Sequence, residues 1–219
     1  MPLICRNRKY RYTIAVQQKL MKIDYSIIVP AYNEEVLLEN TLTQLKKAMA
    51  AIELNGEIIV TDNNSTDRTA EIAHRAGAMV VFEPVNQISR ARNAGAKVAR
   101  GRYLLFVDAD TIVPPALLQT ALNNLESGDC CGGGATMMTD APLPYAASLV
   151  LNYWNFISRT LRLAAGCFVY SRRDDFDACG GFSENVYATE EIWFSRALKR
   201  TARKHKRKFC IITEPKVIT

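Results

Sequence analysis

Histidine is almost missing from this chain: His74 and His205 are the only two in 219 residues. Six cysteines occur, Cys5, Cys130, Cys131, Cys167, Cys179 and Cys210, without a CxxC pair and without histidines at zinc spacing. A Cys/His metal centre is therefore not expected, and scattered buried thiols of a reducing cytosol are. No G-x-G-x-x-G follows the first apolar run, and no G-x-x-x-x-G-K-[ST] occurs anywhere. Dinucleotide-dependent dehydrogenases and P-loop ATPases lose their main support. The glycines of "CGGGA" (131–135) lead into a strand pattern and make a poor phosphate cradle.

Long hydrophobic runs are lacking too. The most apolar long segment, 145–170, is interrupted by Asn152, Asn155, Arg159 and Arg162, whereas a bilayer-spanning helix wants about 20 mostly apolar residues. An interfacial amphipathic helix stays compatible with the pattern. The aromatic side chains of Tyr153, Trp154 and Phe156 are expected to pack against a sheet. The charged first residues lack the apolar core of a signal peptide, and no repeat, low-complexity stretch or linker is visible.

What is present suits one globular domain, with 48% hydrophobic residues. The net charge of +6 gathers at the two ends, in "CRNRKYRY" and "KRTARKHKRKF" (199–209). Such stretches either meet an anionic partner or form solvated faces. Residues 1–20 show little periodicity, and Met21 stands directly before "KIDYSIIVPAYNEE". Residues 1–23 are thus expected to be an N-terminal extension, with Met21 as the natural start.

From Asp24 onward, apolar runs alternate with helical patterns. "YSIIVPAY" reads as a strand buried on both faces. "NEEVLLENTLTQLKKAMAAI" (33–52) reads as a helix capped by Asn33, with Val36, Leu37, Leu42, Leu45 and Met49 at helical spacing. "GEIIVTD", "AMVVFEP" and "YLLFVD" are further strands. Between them lie a helix closed by Gly77 and a basic helix, "QISRARNAGAKVARG", ended by Gly101. The alternation predicts an α/β fold with a mostly parallel central sheet flanked by helices. Past Pro114 a small antiparallel addition is expected to cover the rim and shape a second pocket.

Ligands of such sheets bind beyond the carboxyl ends of the strands. Here those ends carry Pro30 to Glu34, then Asp62-Asn63-Asn64, Glu83-Pro84 and Asp108-Ala109-Asp110. The pair Asp108 and Asp110 either ligates Mg²⁺ or Mn²⁺ beside a diphosphate or caps the turn before Pro114. Arg90 and Arg92 either meet a diphosphate or lie on a solvated helix face. Glu190 and Glu191 either supply a base or favour a helix N-terminus.

The ordered blocks "SIIVPAYNEE" (26–35), "VTDNNSTDRT" (60–69), "RNAGA" (92–96), "YLLFVDAD" (103–110), "CGGFSE" (179–184) and "TEEIWFSRAL" (189–198) resemble the family 2 glycosyltransferases. These are inverting enzymes of the GT-A fold, and the match covers roughly 24–219. The resemblance implies a Rossmann-like GT-A domain with a nucleotide-binding half (24–113) and an acceptor-binding half (114–219). Pro30, Ala31, Tyr32, Glu34, Asp62 and Asn63 would bind the nucleotide, with Arg92 near its phosphates. Asp108 would face the ribose and the metal, and Asp110 would ligate Mn²⁺ or Mg²⁺. Gly180, Gly181 and Phe182 would form an acceptor-side loop, and Glu191, with Glu190 in reserve, would be the catalytic base. The partners implied are a nucleoside-diphosphate sugar (UDP-sugar by default) and a saccharide or lipid-linked acceptor. No nucleic acid is expected. The place implied is the cytoplasm, with a peripheral contact at the inner face of the membrane.

Three departures matter. Asn63 stands where the family usually has an acid, which puts the nucleobase in question. Glu191 is one methylene longer than the usual aspartate. Neither a further histidine ligand nor a Gln-x-x-Arg-Trp motif follows "ITEPKVIT", so either a single-addition enzyme or a truncated chain is expected rather than a processive synthase. The competing readings are a sugar-1-phosphate nucleotidyltransferase, which would want a glycine-rich basic loop where "PAYNEE" stands, and a non-catalytic nucleotide-sugar-binding module.

Overall fold

The computed structural model describes residues 22–219. The reading of residues 1–20 as an extension lies outside them. Seven strands form one sheet: β1 (Tyr25–Ala31), β2 (Gly56–Asp62), β3 (Met79–Phe82), β4 (Tyr103–Val107), β5 (Cys130–Met138), β6 (Phe168–Arg172) and β7 (Lys208–Ile218). Their order is β3-β2-β1-β4-β6-β5-β7. The first four run parallel, β6 is antiparallel to both β4 and β5, and β5 is parallel to β7. Helices α1 (Leu38–Ala50), α2 (Thr69–Arg75), α3 (Ile88–Val98), α4 (Pro115–Glu126), α5 (Tyr145–Leu161), α6 (Arg173–Cys179) and α7 (Glu190–Ala202) complete the fold.

Every residue of β1 and of β4 is buried, because the pleat sends alternate side chains to two covered faces. Ile27 and Val29 join Leu105 and Val107 in one core layer with α1 and α4. Ile28, Leu104 and Phe106 enter the other. There Phe182 stacks on Phe194 with centroids 4.3 Å apart and meets Phe106 edge-on at 4.9 Å. Within β5, a Cβ on Gly133 would lie 1.7 Å from the Cys210 carbonyl oxygen. The glycines of 131–135 thus admit a neighbouring strand.

Strand order reverses at β1, between β2 and β4, which opens a crevice beyond the carboxyl ends of β1 and β4.

Several expectations are corrected. The first helix begins at Leu38, not Asn33. Val36 is 83% exposed, and Asn33 adopts φ 55° in a loop; the loop is needed to shape the crevice mouth. The basic helix ends at Val98, and Gly101 instead lets the chain pass against β1, where a Cβ would meet the Tyr25 backbone at 2.5 Å. The small antiparallel addition expected past Pro114 is present as β6, between β4 and β5. Tyr153 and Phe156 do not pack on the sheet; of their neighbours only Trp154 joins the core. Among the described residues no helix is long and apolar enough to cross a membrane.

Candidate functional site

The crevice is a cleft of about 290 Å³ lined by Pro30, Ala31, Tyr32, Glu34, Asn63, Asp108 and Asp110 among others. A larger hollow of about 900 Å³ lies at the amino ends of β1 and β2, lined by Tyr25, Gly56 and Arg100, and holds none of these acids. Chemistry, not size, picks the cleft.

Two loops build its mouth by bonding to each other. The Asn33 amide oxygen accepts the Thr66 N–H at 2.8 Å, and the Asn33 N–H donates to Ser65 Oγ at 3.0 Å. The Glu34 N–H donates to Thr69 Oγ1 at 2.8 Å, and the Glu35 N–H to Asp67 Oδ2 at 3.0 Å. Backbone donors that a loop would otherwise leave bare are so satisfied. Asp62, buried, accepts the Ser65 N–H at 3.0 Å. Asn63 donates to the carbonyls of Glu83 (3.2 Å) and Val85 (2.6 Å) and accepts the Gln87 N–H (3.0 Å). Its amide is thus committed to the fold. Tyr32, half exposed, and the Glu34 carboxylate are left toward the cleft. Burial pushes the Glu34 carboxyl above its ordinary value, and Asp110 and Asp108 push the same way.

Asp108 and Asp110 flank Ala109, whose carbonyl accepts the Thr41 hydroxyl of α1 at 2.6 Å. That bond pins the turn. Asp110 is exposed. Burial raises the Asp108 carboxyl, Arg92 opposes the rise, and Asp110 and Glu190 add to it. Among the described residues no group of three or more His, Cys, Asp or Glu side chains is arranged to hold a metal. Two hard carboxylates at an open cleft fit instead an Mg²⁺ or Mn²⁺ that shares its coordination with substrate phosphates and water.

Arg92 is 1% exposed. It donates to Glu190 Oε1 at 2.5 Å, to Asp108 Oδ1 at 2.9 Å and to the Gly166 carbonyl at 3.0 Å. Its guanidinium lies 5.2 Å from the Phe182 ring centroid, a cation–π distance. The solvated-face alternative is excluded by this burial. The expected phosphate contact is redirected: Arg92 spends its donors on protein carboxylates and stands behind Asp108. Arg90 pairs with Glu83 at 3.1 Å and Glu184 at 2.9 Å.

The two glutamates that open α7 differ. Glu190 is buried against Arg92. Glu191 is half-buried and lines an apolar pocket of about 450 Å³ with Met137, Val150, Leu151, Trp154 and Gly166. Burial raises its carboxyl above the ordinary glutamate value; Glu190 and Asp108 add to the rise and Arg92 opposes it.

Phe182 cannot serve an acceptor from where it lies, 1% exposed in the aromatic core. Gly180 and Gly181, at φ 85° and 70°, turn the chain above it, and Asn93 holds the turn by accepting the Phe182 N–H at 3.0 Å. This glycine turn lines a separate hollow with Trp193 and Arg196 rather than the Glu191 pocket. Sequence reasoning missed Gly166, Thr41 and Gln87. Gln87 donates to the carbonyls of Glu184 (2.8 Å) and Val186 (3.0 Å), and so ties the segment after the glycine turn to the start of α3 beside the acidic cleft. Only the glycine before a buried strand gave any hint of Gly166.

An α/β sheet with a strand-order reversal at an acidic crevice, and a second acid-bearing pocket beside it, is the arrangement of a GT-A type fold. The pattern of Glycosyl transferase family 2 matches residues 26–177, and the chain belongs to that family. It is 36% identical over 107 residues to the uncharacterized glycosyltransferase EpsJ of Bacillus subtilis, covering 46% of this chain and 30% of that one. The chain spans about a third of the length of the curated relatives it matches first. Its fold is similar to mannosyltransferase PcManGT from Pyrobaculum calidifontis, solved with GDP-Man and Mn²⁺. The TM-score is 0.68 at 19% identity, covering 97% of this chain and 64% of that one. It is also similar to S. aureus TarS 1-349 in complex with UDP-GlcNAc, with a TM-score of 0.66 at 21% identity, covering 90% and 58%.

Proposed function

We propose that this chain transfers a sugar from a nucleoside-diphosphate sugar to an acceptor hydroxyl with inversion. The observation that carries the reading is the pairing of two acid-bearing sites through one buried cation: Arg92 joins Asp108 at the donor cleft to Glu190, next to Glu191 at the apolar pocket.

Tyr32, Glu34 and Asp62 are the nucleotide contacts in this reading, with Pro30 and Ala31 as the floor. Asn63 and Arg92 act by positioning. Asp108 and Asp110 hold the divalent ion that accompanies the diphosphate. When bound, such an ion neutralises charge that develops on the leaving diphosphate. Glu191 accepts the proton of the acceptor hydroxyl as oxygen attacks the anomeric carbon. Attack from the face opposite the diphosphate inverts that centre, so no covalent glycosyl-enzyme is required. Its raised pKa makes Glu191 a stronger base than an exposed glutamate. Relatives solved with UDP-GlcNAc and GDP-Man support a nucleotide-sugar donor; UDP-sugars are the first to test. The acceptor is a saccharide or a lipid-linked one, and the place of action is the cytoplasm at the inner face of the membrane.

The test is thermal stabilisation by UDP and GDP with and without Mn²⁺, followed by mass-spectrometric screening of donor hydrolysis. We expect a Mn²⁺-dependent rise in melting temperature for one nucleotide, and Asp110→Ala should abolish it. A shift with neither nucleotide, or the same shift in Asp110→Ala, would refute the reading.

A further inference from the structure

Helix α5 is apolar on its outside. Of its 17 residues only Ser158 is buried. Tyr145 is 80% exposed, Leu149 52%, Val150 69%, Tyr153 67%, Phe156 53% and Leu161 53%. At helical periodicity these side chains share one broad arc. Tyr145, Leu149, Tyr153 and Phe156 follow one another along it, and Val150 and Leu161 lie on its flank. The inner side holds Trp154 and Asn155, whose amide bonds the Met137 N–H and carbonyl, each at 2.9 Å. Asn152 and Arg159 fall between the arcs. A water-facing helix has the reverse pattern, and a contiguous exposed stripe of this kind marks an interaction surface.

Cations gather at the C-terminal end of the same helix. Arg159 and Arg162 are exposed there. Lys199 donates to the carbonyls of Leu161 (3.0 Å) and Arg162 (3.1 Å); burial first, and then the like charges of Arg196, Arg162 and Arg203, hold its ammonium below the ordinary lysine value. None of the ion pairs among the described residues involves any of these five side chains. Like charges held together without acids call for an anion from outside. Apolar and tyrosine side chains on one arc, with basic residues at its end, match the chemistry of an anionic lipid interface.

We propose that α5 and this cationic cluster seat the protein on the surface of an anionic phospholipid bilayer. The seating stands on the helix itself. Its consequence for the acceptor rests on the reading given under Proposed function. Leu151 and Trp154 on the inner side of α5, with Val150 at the edge where the two sides meet, wall the pocket that holds Glu191. A bilayer against the outer side therefore brings a lipid-borne hydroxyl to the mouth of that pocket, and the acceptor's apolar portion need not enter water.

The experiment is co-sedimentation of the full chain with vesicles of phosphatidylcholine alone and of phosphatidylcholine with a quarter phosphatidylglycerol, at low and high salt. We expect pelleting with the anionic vesicles, weakened by salt. Arg159→Gln with Arg162→Gln should lose affinity about fivefold for each charge removed. Tyr153→Ser with Phe156→Ser should lose about tenfold or more. Both double variants should keep the melting temperature and nucleotide response of the parent chain. Absence of pelleting, or equal pelleting of parent and variants, would overturn the proposal. So would light scattering that shows a dimer dissolved by the Tyr153/Phe156 change, since a second copy would then be the occupant. The Mn²⁺-dependent nucleotide shift, run on the same samples, separates the two readings. Lost vesicle binding with an intact shift refutes only the seating, and the converse refutes only the transferase.

Discussion

The acidic cleft and the Glu191 pocket are linked through Arg92 yet are made in opposite ways. The cleft is a closed weave: backbone N–H groups of one loop end on side chains of another, and the Asn63 amide is spent within it. The pocket is one surface helix leaned against a sheet, with few polar ties and an apolar wall. Hydrogen bonds have strict geometry, whereas apolar contacts are non-directional. The rigid side suits a ligand with a fixed polar pattern, and the greasy side suits one that varies.

Removing the link between the two sides should have the largest effect. Arg92→Met leaves Asp108 and Glu190 buried or half-buried without their cation. Urea unfolding should show a loss of about 3–5 kcal/mol. A loss under 1 kcal/mol would mean the two sides are independent.

Glu191→Gln tests the acceptor side alone. Turnover should fall about 10²–10⁴-fold while the nucleotide-dependent melting shift stays at the parent value. Full turnover would move the base to another residue. The pH profile sharpens this. Because burial first, and Glu190 and Asp108 next, raise the Glu191 carboxyl, the folded chain binds this proton more tightly than the unfolded chain. The base form then prevails only above the raised pKa, so turnover should drop on acidification at a pH above the ordinary glutamate range. Stability should move the other way, falling as pH rises from the ordinary to the raised value. Glu191→Gln should make that slope shallower, leaving the part contributed by the raised carboxyls of Glu34 and Asp108.

Asn63→Asp tests the donor side with the smallest effect. An acid there loses two donated bonds and sets a carboxylate against the Glu83 and Val85 carbonyls. The cost should be about 1–3 kcal/mol, read as a lower denaturant midpoint. Unchanged stability with a new nucleobase preference would show that Asn63 faces ligand after all.

Much of the donor side was legible because its signals are local. A continuous apolar run predicts a doubly covered strand, and the acids at strand ends fall on one rim by topology. Local pattern also misled: Val36 and Leu37 fit the helical period of α1, yet the polar stitching of Asn33 and Glu34 holds them in a loop. Arg92 was hidden, since one cation beside Asn93 reads alike on a wet helix face and inside a core; only the acids brought from β4 and α7 decide it. In α5 most positions are apolar, so periodicity could not say which side turns inward.

A segment with one buried position out of 17 is nearly free of the constraints that bind its neighbours. Its outward positions, Tyr145, Leu149, Tyr153 and Phe156, can be exchanged with little disturbance to the sheet, provided Trp154, Asn155 and Ser158 keep their places. Exchanging that outer face would alter what the surface meets while leaving the acidic cleft as it is.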